Sequence, residues 1–226
     1  MKSGFCNIFC PNSDPADFTE AGFDCFSLAF VENKTELASE LCFFGSDLES
    51  FELALKTAEE KAIPRLVISE DFAFQNESML MELPKSPIDF AIENKETDTD
   101  ALMSFFEKTK NSQNRFGLCL NTGHAILAGT EPHELFELFG DKVTSIHAND
   151  NHRTGDYHLP PFRGRGGVDW DKFTSSVAKS DYNGALYLDI RAMDCTSKAI
   201  FKKSLRVLCL IAKEICEMIE NKRDKT

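Results

Sequence analysis

Short apolar runs alternate along the chain with polar stretches whose apolar residues fall at helical spacing, and turn residues mark each change. Residues 5–9 predict a first strand, ended by Pro11. Ser13-Asp14-Pro15 is a helix-start signal, and a short helix over 16–21 stops at Gly22. Residues 23–30 predict the second strand, with a weak helix at 34–39 behind it, and residues 41–44 the third, closed by Gly45. Over 50–61, Phe51, Leu53, Leu55 and Ala58 alternate with charged positions as in an amphipathic helix. Pro64 introduces a fourth strand at 65–69; the stretch 70–87 carries at most one short helix, at 77–83.

The signals then strengthen. Residues 88–92 predict a strand ending at Glu93-Asn94, and 98–108 a helix with Leu102, Phe105 and Phe106 at core spacing. Residues 116–120 predict a strand ending at Asn121, and 131–139 a helix stopped by Gly140. The seventh strand spans 142–146, with a helix at 170–178; the eighth spans 185–188 and ends at Asp189 before a long final helix at 197–221. This alternation favours parallel strands with right-handed crossovers, and eight units point to a closed (β/α)8 barrel. Such barrels typically run to about 250 residues. At 226 residues the helices of the amino-terminal half must therefore be short. No linker, low-complexity tract or fixed-period repeat divides the sequence, so the reading is one domain over 1–226.

Composition narrows the class. A net charge of −12 repels a phosphate backbone and argues against nucleic acid as a partner; the loop with Arg153, Arg163 and Arg165 is the local exception. The eight cysteines include no C-x-x-C and lie mostly in apolar runs, which reads as reduced, buried thiols in a cytoplasmic protein. No window approaches membrane-spanning length, and residues 1–11 lack the pattern of a signal peptide. The 20 phenylalanines recur inside apolar runs, where they serve core packing.

Chemistry concentrates late. Residues 146–169 gather three of the five histidines, three aspartates and three arginines just beyond the seventh strand. In a barrel the polar residues at the carboxyl ends of strands face the catalytic mouth. Glu93, Asn121, His147 and Asp189 end four consecutive strands, a donor set suited to Mg, Mn or Zn. Each also has a structural reading: Asn121-Thr122-Gly123 as a turn, a strand-end aspartate as a helix cap, the histidines as loop stabilisers.

The order I-E-N, L-N-T-G-H, I-H-A-N-D-N, G-D-Y-H-L, G-R-G-G-V-D-W and Y-N-G-A-L-Y-L-D resembles the xylose-isomerase-like barrels, a superfamily of sugar isomerases, sugar epimerases and endonuclease-IV-type repair enzymes. The likeness spans 88–189, with a weaker echo at Glu20-Ala21-Gly22-Phe23-Asp24. It implies Glu93 as metal ligand and acid/base, His147 as metal ligand, Asn121 where the family has Asp, and Asp189 where it has Glu. His124, Asp156 and His158 match the set that resembles the third zinc site of the repair enzymes.

Two departures follow. Asn121 removes one negative charge, and Asp189 is one methylene short. The amino-terminal half contains no histidine and Ser69 ends the fourth strand, so a three-zinc phosphodiester site cannot be assembled. The leading expectation is a Mn-, Mg- or Zn-dependent isomerase or epimerase acting on a small sugar or sugar phosphate. Glu93 and Asp189 would exchange a proton next to a carbonyl; Glu93, Asn121, His147 and Asp189 would hold the metal; His124, Arg153, Asp156 and His158 would bind substrate. The alternatives are a degenerate barrel that binds a metabolite or partner without turnover and, more weakly, an abasic-site nuclease.

Overall fold

Eight parallel strands close into one ring in which each pairs with the next in chain order and the last with the first. The computed structural model describes residues 1–6, 14–30, 38–95, 98–191 and 197–225. The strands are β1 (Lys2–Cys6), β2 (Cys25–Ala29), β3 (Glu40–Phe43), β4 (Arg65–Ser69), β5 (Asp89–Glu93), β6 (Phe116–Asn121), β7 (Val143–Ala148) and β8 (Ala185–Asp189). Outside them run α1 (Pro15–Ala21), α2 (Leu48–Glu60), α3 (Glu70–Gln75), α4 (Glu77–Glu82), α5 (Thr99–Thr109), α6 (Thr122–Leu127), α7 (Pro132–Phe139), α8 (Trp170–Ala178) and α9 (Lys198–Arg223). This is the (β/α)8 barrel that the alternation predicts.

The local signals act as expected at most boundaries. Gly22 ends α1 with φ 103°, a left-handed conformation that glycine adopts without steric cost. Asp47, Ser69, Asp98, Asp169 and Ser197 each accept a backbone N–H at a helix start. The structure bears on three further readings. The stretch 70–87 holds two short helices, because Ser69 caps α3 directly off β4. Asn121-Thr122-Gly123 opens helix α6, with Asn121 as its cap, and so is not a free turn. The expected helix at 34–39 lies largely outside the described residues, as do residues 7–9 of the first strand, and Ser39 is not helical.

Alternate strand residues face opposite sides, and here the two sides differ in kind. The outward set, including Phe5, Phe26, Leu41, Phe43, Phe90, Leu120 and Ile146, packs with Phe18, Phe51, Phe72, Phe105, Phe136 and Phe173 of the helices in one continuous cluster. Phe5 stacks on Phe18 at 5.0 Å, and Phe43 meets Phe72 edge-on at 5.2 Å. Each such burial is worth about 1.5–3 kcal/mol. The inward set forms a separate, slender cluster: Cys6, Cys25, Cys42, Val67, Ala91, Cys119, Ala185 and Tyr187. Barrel interiors are usually filled by bulky branched side chains; this one holds small and thiol groups, with Tyr187 laid across Gly4, where a Cβ would fall 2.4 Å from its ring. The six cysteines among the described residues are free and buried. No helix of the described residues is long and apolar enough to cross a membrane.

Candidate active site

The carboxyl ends of β5, β6, β7 and β8 bring Glu93, Asn121, His147 and Asp189 together in a nearly dry rim, with exposures from 0% at Asn121 and His147 to 7% at Glu93. Asn121 is its centre. The Nδ2 amide donates to Glu93 Oε1 at 3.2 Å and to Asp189 Oδ2 at 3.3 Å. Its Oδ1 faces the other way and accepts the backbone N–H of His124 at 3.1 Å and Nδ2 of Asn149 at 2.8 Å. A flipped amide would set its NH2 against the His124 N–H, so the cap fixes the orientation. Asn94 stitches β5 to β6 beneath it, accepting from Asn121 N at 2.7 Å and donating to Asn121 O at 3.1 Å.

His147 is gripped from both sides. Its Nδ1 lies 2.6 Å from Glu93 Oε1 and its Nε2 lies 2.7 Å from Glu40 Oε1. Glu40, the first residue of β3, is fully buried; Ser145 Oγ donates to it at 2.7 Å, and Arg65 stands 3.4 Å away. Burial disfavours its carboxylate, but the His147 bond and charge outweigh that and lower its pKa. Burial likewise opposes a charged imidazole. The acidic groups around it, the Cys119 and Cys6 thiols together with the two carboxylates, prevail, and His147 is raised well above the ordinary histidine value. The sequence reading missed Glu40. Its only trace is the alternation of polar Glu40 and Cys42 with apolar Leu41 and Phe43, which turns Glu40 inward.

Above the rim stands a second group, His124 from α6 with Asp156 and His158 from the loop after β7. Nδ1 of His124 is 2.9 Å from the Asn94 carbonyl; Nδ1 of His158 is 3.1 Å from the Asp189 carbonyl and 3.0 Å from Asp189 Oδ2. Both Nε2 atoms face Asp156 Oδ1, at 3.7 and 2.9 Å. Burial resists a charge on His158, yet Asp189 and Asp156 raise its pKa to about 10. Burial pushes Asp156 up, but the His158 bond and charge dominate and bring it down to about 2. Asp189 is likewise held low by His158 against its burial. Its Oδ1 is buried with no hydrogen-bond partner among the described residues.

The loop motif explains how His158 is held. Asn151 Oδ1 accepts the backbone N–H groups of Tyr157 at 2.6 Å and His158 at 3.1 Å, which keeps His158 at φ 46°, a region rare for a non-glycine residue. Asp150 takes N–H groups from Val168 and the Trp170 indole at 3.0 and 3.2 Å. Gly164 and Gly167 make room for it, since a Cβ there would fall 2.2 and 1.9 Å from Asp150 Oδ1. H-A-N-D-N and G-R-G-G thus build the loop that presents Asp156 and His158.

Glu93, His124, Asp156, His158 and Asp189 line one cleft of about 310 Å³, completed by Ser69 at the end of β4 and by Phe44, Asp71 and Lys95, the last three not singled out as site residues in the sequence. Arg153, expected to bind substrate, is not brought there. Its guanidinium pairs with Glu131 and the Gly166 carbonyl and ties the loop to the start of α7.

A divalent cation fits these two groups unequally. At the rim the Asn121 NH2 stands between the carboxylates and presents donors where a cation needs acceptors, and both His147 nitrogens are engaged by carboxylates. The outer set fits. Backbone carbonyls hold both Nδ1 atoms, the arrangement that orients metal-binding histidines, and the Nε2 and carboxylate atoms lie within 4.8 Å of one another.

A (β/α)8 barrel whose strand-end mouth is lined by carboxylates and imidazoles is the class that fold and site define. The family model described as "Xylose isomerase-like TIM barrel" matches residues 70–211, and the chain belongs to that family. Among solved structures it is similar to a D-tagatose 3-epimerase-like protein, at 18% identity and TM-score 0.71 over 98% of this chain and 99% of that one. It is also similar to an L-ribulose 3-epimerase, at 12% identity and TM-score 0.72 over 99% and 96%. A third is the probable 3-DHS dehydratase AsbF, involved in petrobactin synthesis, from Bacillus anthracis, at 15% identity and TM-score 0.67 over 92% and 98%. At these identities the likeness is one of fold. A 78-residue stretch, 34% of this chain, is 33% identical to the uncharacterized protein y4fM of Sinorhizobium fredii and spans 24% of that protein's length.

Proposed function

We propose that the mouth of the barrel binds a small sugar or sugar phosphate and moves a proton next to its carbonyl, as an isomerase or epimerase. The observation that carries this reading is the placement of Glu93 and Asp189 on one cleft, one on each side of the pinned Asn121 amide. Two carboxylates so arranged can remove a proton from one face of a carbon and return it to the other. Asp189 Oδ1, buried with no hydrogen-bond partner among the described residues, would accept a substrate hydroxyl, and His158 Nδ1, 3.0 Å from Asp189 Oδ2, holds that carboxylate ionised. His124, Asp156 and His158 would hold the divalent cation, which supplies polarisation of the substrate carbonyl when bound. Family membership and fold neighbours named for sugar 3-epimerases support the substrate class; the fold by itself does not set the reaction.

The test is deuterium wash-in. The full chain is incubated in heavy water with a panel of ketoses and Mn ions, and exchange beside the carbonyl is read by NMR. Exchange is expected with some member of the panel, and Glu93→Gln or Asp189→Asn should slow it by about 10²–10⁴-fold. No exchange with any sugar that binds would instead support binding without turnover, the reading favoured by the mutual pairing of Asp156, His158 and Asp189.

A further inference from the structure

We infer that Asn121 makes the rim between Glu93 and Asp189 refuse a divalent cation, so that these carboxylates act as a metal-free pair and a bound cation stays on the outer histidines. The site of the outer cation rests on the function proposed above; the refusal at the rim rests on Asn121 alone.

Asn121 has two jobs that fix its amide. Its oxygen caps α6 through the His124 backbone N–H, a donor that cannot be turned round, and it also accepts from Asn149. The NH2 then has one direction left, into the rim, where it already donates to both carboxylates. An aspartate in the same pose would cap the helix with one oxygen and offer the other to a cation. Asparagine presents N–H donors at that point, which changes the polarity of the position as well as its charge. Each carboxylate also faces an imidazole, Glu93 with His147 at 2.6 Å and Asp189 with His158 at 3.0 Å, so one oxygen of each is already engaged.

The test counts bound Mn by EPR and elemental analysis after equilibrium dialysis, on the full chain and on Glu93→Gln, Asn121→Asp and the Asn121→Asp/Glu93→Gln pair, each checked for folding by circular dichroism. The wild-type count should not change in Glu93→Gln. Asn121→Asp should bind one equivalent more than wild type, and the added equivalent should vanish in the double variant. The inference is overturned if Glu93→Gln lowers the wild-type count, or if folded Asn121→Asp gains nothing. Should Asn121→Asp fail to fold, the comparison of wild type with Glu93→Gln still decides. A wild type with no bound Mn, or with no isotope exchange, would count against the proposed function and leave the one-equivalent difference as the readout here.

Discussion

Glu40 Oε1 lies 2.7 Å from His147 Nε2, and both side chains are shut off from solvent inside the barrel. The bond joins β3 to β7 across the interior and directs the other imidazole nitrogen up to Glu93. Removing one member of a buried ion pair leaves its partner uncompensated, at a cost of about 3–5 kcal/mol. Glu40→Ala should lower unfolding stability by that amount in urea titration. Glu40→Gln keeps an acceptor and should lose about 1–3 kcal/mol. An unchanged midpoint for Glu40→Ala would show that the pair contributes nothing to the fold.

Gly123 has no room for a side chain, since a Cβ would fall 1.7 Å from Asn149 Oδ1. Gly123→Ala should therefore cost about 1–3 kcal/mol by overpacking and disturb the Asn149–Asn121 bond. Thermal melting measures the first effect. The amide resonances of Asn121 report the second.

Stability should depend on pH through His158 and Asp156. The pKa of His158 is raised from 6.5 to about 10, so its contribution is complete below pH 6.5 and lost as pH rises through about 10. That of Asp156 is lowered from 3.8 to about 2, so its contribution is present above pH 3.8 and lost as pH falls through about 2. The pair is strongest between 3.8 and 6.5. In metal-free protein, His158→Gln should flatten the alkaline loss of stability; denaturation curves across the pH range will show whether it does.

Cation uptake by the outer group must displace the His158 proton, which is held up to about pH 10. Affinity for Zn or Mn should thus weaken as pH falls, by up to about tenfold per unit, with proton release on binding. Calorimetry in buffers of different ionisation enthalpy counts the protons. Binding that ignores pH across this range would place the cation elsewhere.

Arg153 pairs with Glu131 and the Gly166 carbonyl and does not line the cleft. Arg153→Ala should leave the sugar KM within about twofold and cost under about 1 kcal/mol, as for other exposed ion pairs. A large rise in KM would return Arg153 to the substrate.

The barrel was legible because strand and helix periods alternate cleanly and most boundaries carry caps or glycines; the strand at 65–69 and the helix at 170–178 coincide with β4 and α8. The meeting of Glu93, Asn121, His147 and Asp189 was legible for a related reason, since residues that end neighbouring parallel strands share one rim. Glu40 was not. It starts its strand, beside Ser39, and a lone glutamate there reads as a solvated turn until closure of the ring brings it under His147 from a strand far away in sequence. Nor could sequence show which way the Asn121 amide points, since that is decided by its cap on α6, a helix the sequence did not predict. Asn149, Asp150 and Asn151, to which the sequence assigned no role, bond to Asn121 Oδ1 and to the backbone N–H groups of Val168 and His158.

The phenylalanine-rich layer lies between strands and helices, while the lumen is lined with slender groups. Cohesion and reactivity are therefore lodged in separate compartments of one molecule. A lineage, or an engineer, that rewrites the lumen must keep the Glu40–His147 bond across it, while the outer layer goes on carrying the bulk of the apolar packing.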